Sequence, residues 1–189
     1  AFEGGKAARV ETVAVGLNAA NGIAARGDSL YVNETTFGEG DPMPSGTYRF
    51  RLSELKAEAP VRVDGTANDP HVLFRLQTRG PVKVGANGLC FDGEGSLYVA
   101  NFGDREIWKV TLDADGRLKE GKLFTKVACA ESVDGMQYDG EGWLWFADFL
   151  GNAVVRVCAE TGRAEIVAKN PPCDGAKGEL DSPSECIRL

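Results

Sequence analysis

VGANGLCFDGEGSLYVANFGDREIWKV, residues Val84 to Val110, decides how the rest of the chain is read, because most of it recurs downstream. Asn87-Gly88-Leu89, Asp92-Gly93-Glu94-Gly95, Leu97-Tyr98-Val99-Ala100 and Ile107-Trp108-Lys109-Val110 return in the same order. Their counterparts are Asp134-Gly135-Met136, Asp139-Gly140-Glu141-Gly142, Leu144-Trp145-Phe146-Ala147 and Val154-Val155-Arg156-Val157. Every pair is separated by one constant interval, so a single supersecondary unit is being reused. Alternating apolar stretches broken by glycine turns make each unit a set of short strands. Repeats of roughly 40–50 residues built this way are propeller blades.

Composition agrees with an all-β chain. The 189 residues are 43% hydrophobic and 26% charged, ordinary globular material, and the 24 glycines suit many tight turns. A formal net charge of −7 argues against tracking phosphates, so no nucleic-acid partner is expected. No apolar run approaches a membrane span and the first residues do not form a charged-then-apolar signal, so no membrane partner is expected and the compartment stays open. The five cysteines form no CxxC pair. Cys90 and Cys158, in apolar strand patterns, read as buried thiols, while Cys129, Cys173 and Cys186 fall in or near loops.

Taken in order, residues 1–17 read as the end of a preceding blade, with a turn at Gly4-Gly5 and a strand from Arg9 to Val15. Residues 18–80 form a blade opening at Asn21-Gly22 and carrying an insertion, 36–45, expected to hang over one face as a lid. Its outer strand is either Pro60 to Val63 or Val72 to Leu76. Blades follow at 81–128 and 129–169, and residues 170–189 read as a loop and the innermost strand of a further unit. About three complete blades plus partial ones do not close a ring, and rings exist to hide strand edges. The remaining blades are therefore expected from the same parent chain or from a second copy.

The strand openers Asn21, Asn87 and Asp134 should converge near the axis, where oxygen-only side chains suit a hard cation. The competing reading is that Asn-Gly and Asp-Gly pairs are simply turns. The strand exits share that face, which makes Glu34, Asn101, Phe102, Asp148 and Phe149 candidate substrate contacts. The two DGEG runs lie at the opposite face and read as hairpin turns. His71, the one histidine, offers no Ser-His-Asp arrangement without a nucleophile elbow.

The two long repeats, with their N-G-L and D-G-M openings before an L-Y-V-A or L-W-F-A run, resemble the gluconolactonase/regucalcin (senescence marker protein) family of six-bladed propellers. That resemblance implies a divalent metal, Ca2+ first with Zn2+, Mn2+ or Mg2+ as other candidates, held by Asn21, Asn87 and Asp134. The family's glutamate ligand has no counterpart, because Glu3-Gly4-Gly5 is not followed by an inner hairpin. The resemblance further implies a hydrolase opening sugar lactones or related esters, with Asp134 both ligand and general base. The alternatives are a non-catalytic propeller that binds a small ligand or protein partner, and a strictosidine-synthase-like propeller.

Overall fold

The protein is described from a computed structural model covering residues 2–3, 6–7 and 9–186. Strands β1 (Phe2–Glu3) and β2 (Lys6–Ala7) pair antiparallel; the turn expected at Gly4-Gly5 lies outside the described residues. The strand expected over residues 9–15 is reduced to β3 (Ala14–Val15). Three four-stranded sheets follow, each ordered antiparallel from its innermost strand outward. The first comprises β4 (Ala20–Arg26), β5 (Ser29–Glu34), β6 (Met43–Arg51) and, beyond the short β7 (Val61–Arg62), β8 (Val72–Thr78). The second is β9 (Ala86–Phe91), β10 (Leu97–Asn101), β11 (Glu106–Leu112) and β12 (Leu118–Lys126). The third is β13 (Met136–Tyr138), β14 (Trp143–Asp148), β15 (Ala153–Cys158) and β16 (Ala164–Lys169).

The two candidates for the first outer strand separate. Residues 72–78 complete the sheet, with Met43 opposite Thr78 and Tyr48 opposite Val72. Residues 61–62 instead pair in parallel with β3, Ala14 opposite Val61. This ladder covers the outer face of the first sheet, where Val32, Tyr48, Phe50 and Val63 form a core with Ala14, Leu17 and Val61.

Strand period explains why the sheets stack. Leu97, Tyr98, Val99 and Ala100 are all fully buried, so β10 is apolar on both faces of its pleat. Leu97 and Val99 meet Tyr31, Phe74 and Leu76 of the first sheet, while Tyr98 and Ala100 meet Met136, Leu144, Phe146 and Val155 of the third. Sheets buried on both faces and arranged inner strand to outer rim make an all-β propeller of three four-stranded blades. The DGEG runs are turns: the Asp92 carboxylate accepts backbone N–H groups of Glu94 (3.0 Å), Gly95 (2.6 Å) and Ser96 (2.8 Å), and Asp139 accepts those of Glu141 and Trp143. Gly95 sits at φ 93°, which only glycine adopts freely.

Candidate metal centre

The openers stand where the innermost strands crowd together. A methyl group added at Gly22 would collide with the Asn87 carbonyl, and one at Gly88 with the Asp134 carbonyl. Neither glycine has a positive φ. They are therefore glycine because neighbouring blades touch there, and the reading of Asn-Gly as a turn pair does not hold at these two sites. The contact is reinforced by Asn33, whose amide donates to the carbonyls of Asn87 (2.8 Å) and Gly88 (3.1 Å), while its oxygen accepts from Thr47 (2.6 Å).

This stacking brings Asn87 and Asp134 together. Asn87 is 3% exposed and its Oδ1 has no hydrogen-bond partner among the described residues, although its amide bonds to the Asp134 carboxylate. Asp134 is buried, and its pKa is pushed up to about 6. Desolvation is the main cause and the nearby Glu185 carboxylate adds to it, against the backbone of Gly135 and the Asn87 amide, which pull it down. Asn21 lies on the adjoining strand, exposed, in a bulge between Ala20 and Ile23. It lines the same axial groove as Gly88, Gly135 and Glu185, a hollow of about 440 Å³.

These residues fit the cation that the repeats imply. A carboxylate kept from water and an amide oxygen buried without a donor both cost free energy as they stand, and a hard cation would satisfy both. Among the described residues no group of three His, Cys, Asp or Glu side chains is placed to hold a metal ion by itself, so a cation here would rest on two carboxylates, amide oxygens and water.

The five expected substrate contacts are placed elsewhere; none lines the groove. Glu34 is buried and accepts the N–H groups of Asn18 and Ala19; burial raises its pKa against those bonds. Asn101 accepts from Thr78 (2.9 Å) and donates to the Gln77 carbonyl (3.2 Å). Asp148 accepts from the N–H of Glu131 (3.0 Å), Ser132 (2.8 Å) and Gly151 (3.0 Å) and from the Ser132 hydroxyl (3.0 Å). All three occupy one repeat position, where their side chains are hydrogen-bonded to chain that precedes their own blade's inner strands. Asp104 does the same in the second blade, accepting N–H groups of Arg79 and Gly80. Phe102 and Phe149 are tilted neighbours 6.4 Å apart; Phe102 is buried, leaving only Phe149 to solvent.

The insertion 36–45 is tied down at several points. Phe37 packs edge-on against Tyr48 at 5.4 Å with the Arg75 guanidinium 4.8 Å over its ring, and Asp41 pairs with Lys83 at 3.0 Å. The loop thus contacts both its own blade and the chain that enters the innermost strand of the next. Cys158, expected buried, is half-buried on the uncovered face of β15, while Cys90 is buried as expected. A second hollow, about 420 Å³, is lined by Trp143, Trp145, Arg156 and their neighbours. Trp145 corresponds in the repeat to Tyr98, which the third sheet covers completely, so this face is where a further blade would pack.

With the geometry in hand, the likenesses of the chain become informative. The sequence pattern of the SMP-30/Gluconolactonase/LRE-like region matches residues 62–173, more than half of the chain. The chain belongs to the SMP-30/gluconolactonase/LRE-like family. The part that identifies this SMP-30/gluconolactonase/LRE-like chain holds Asn87 and Asp134; Asn21 lies before it and Glu185 after it. The fold is similar to a gluconolactonase from Xanthomonas campestris, 19% identical with a TM-score of 0.58, over 97% of this chain and 55% of that one. A luciferin-regenerating enzyme matches at 16% identity and a TM-score of 0.53, over 82% of this chain and 46% of that one. The chain spans about half the length of the solved structures it matches, and at these identities the likeness is one of fold. The comparison with curated proteins gives no match.

Glu185 is the site residue that sequence reasoning missed. The signal for it is register: the sequence places Ser184 at the opener of a further innermost strand, and so Glu185 where the other openers carry glycine, although residues 184–186 form no strand and residues 187–189 lie outside the described residues.

Proposed function

We propose that this chain carries the cation-binding centre of a hydrolase that opens sugar lactones or related esters, with Asp134 serving as ligand and general base. The observation behind this reading is the pairing of Asp134, pushed up to about pKa 6, with an Asn87 oxygen that no donor among the described residues uses. Family membership and the fold of the Xanthomonas gluconolactonase support it. Asn87, Asp134 and Asn21 would hold the cation, Ca2+ first among the candidates; when bound it supplies Lewis-acid polarisation of the ester carbonyl.

The remaining chemistry belongs to the chain. The axial groove is of a size for a small molecule. Beside a cation the Asp134 pKa would fall from its cation-free value, which keeps the carboxylate deprotonated and placed to accept a proton from a water already made more acidic. Water would attack the carbonyl carbon as its proton passes to an Asp134 oxygen. The ring C–O bond then breaks, and the same proton goes to the departing alkoxide, leaving the open hydroxy acid. Asn87 holds the carboxylate in place through its amide without adding charge. The remaining blades would come from the parent chain or from a second copy.

The test is hydrolysis of a sugar lactone by the assembled protein, before and after chelation, beside Asp134→Asn. Turnover should vanish with the chelator, return with added Ca2+ or Mn2+, and be absent from the variant. Turnover that survives both treatments would exclude this mechanism.

A further inference from the structure

The three steps along the groove are not alike. Gly22 touches the Asn87 backbone and Gly88 the Asp134 backbone, but Gly135 faces a side chain: a methyl group there would lie 2.5 Å from the Glu185 carboxyl. The Gly135 N–H donates to the Ser184 carbonyl at 3.0 Å, which docks residues 184–186 beside the Asp134 opener. Glu185 is exposed in the groove, one of its oxygens accepting the Cys186 N–H at 3.0 Å. Two carboxylates thus stand side by side with no ion pair to either among the described residues. Beside them is the buried, unpartnered Asn87 oxygen.

We propose that Glu185 is the second carboxylate ligand of the cation held at Asp134 and Asn87. The inference rests on the reading given above and adds a residue from outside the segment that identifies the family. Two carboxylates brought close repel one another, and a divalent cation between them turns that repulsion into attraction. Gly135 permits the approach, because any larger residue would push the Glu185 carboxylate away. Ca2+ accepts mixed carboxylate and amide oxygens and completes its shell with water, which an exposed glutamate at the mouth of a groove allows.

The experiment is a Ca2+ titration of this chain followed by thermal melting, so that affinity is read from stabilisation rather than from turnover. Glu185→Gln should weaken Ca2+ binding about tenfold or more, the loss of one charged ligand. It should leave the melting temperature in chelator unchanged or raised. Gly135→Ala, with Glu185 intact, should weaken Ca2+ in the same direction by displacing the carboxylate. If both variants titrate like the unaltered chain while Asp134→Asn loses the ion, Glu185 is no ligand and the proposed centre stands without it. If Ca2+ and Mn2+ at millimolar concentration leave the unaltered chain's melting unchanged, the centre itself is wrong and this inference falls with it.

Discussion

Replacing Asp134 by Asn should make the cation-free protein more stable at neutral pH, and the size of the effect follows from its burial. In the unfolded chain the carboxyl titrates near 3.8; in the fold it is pushed up to about 6. The folded state therefore holds the proton longer. Stability contributed by this group is greatest below pH ~4, falls as pH rises to ~6, and stays reduced above that. Two pKa units at about 1.4 kcal/mol each give roughly 3 kcal/mol as an upper value, and for a chain of this length each kcal/mol moves Tm by about 2–4 °C. Asp134→Asn removes the charge and keeps the shape. Urea unfolding in chelator at pH 4 and pH 7.5 is the assay. The variant should match the parent at pH 4 and exceed it by up to ~3 kcal/mol at pH 7.5. A variant less stable than the parent at pH 7.5 would mean that the carboxylate serves the fold, and the argument for a functional group there would fail.

Other outcomes follow from the same contacts. Gly88→Ala forces a methyl group onto the Asp134 carbonyl between two blades, so it should cost about 1–3 kcal/mol in denaturant unfolding and weaken cation binding as well. Asp148→Ala strips the acceptor from three backbone N–H groups and a hydroxyl. It should cost about 2–4 kcal/mol of stability by thermal or urea unfolding, whereas a substrate contact would raise KM and leave stability alone. Cys158 is held below the usual thiol range, chiefly by the Thr161 hydroxyl and then by backbone N–H groups, while burial pushes the Cys186 thiol up to about 12 and raises that of Cys90 further. Limited alkylation at pH 7.5 read by peptide mass spectrometry should therefore label Cys158 well before Cys90 or Cys186.

The stacked sheets were legible because the signal that makes them is periodic. The constant interval between Asn87 and Asp134, and apolar residues on both faces of β10, follow from strand geometry alone. The outer strand of the first blade was not legible, since Pro60 to Val63 and Val72 to Leu76 are both short apolar runs and only tertiary pairing separates them. The hydrogen-bonding duty of the strand exits was not legible for a related reason. Periodicity places Glu34, Asn101 and Asp148 at one end of their strands, but the donors they serve arrive from distant links such as Asn18-Ala19 and Glu131-Ser132. Cys158 looked buried because its strand is apolar, yet one face of β15 is uncovered. Glu185 escaped notice because it lacks the Asx-Gly mark of the other openers. Register alone hints at its place, and the hydrogen bond between Gly135 and Ser184 fixes it.

The account stands most directly on where a cation sits. Crystals of the chain soaked in Mn2+ and measured at the manganese absorption edge would locate it. An anomalous peak within about 2.5 Å of the Asp134 and Asn87 side-chain oxygens is the expected result. Crystals in which Mn2+ occupies other sites, with the Asn87 oxygen instead turned to a backbone amide, would contradict the account.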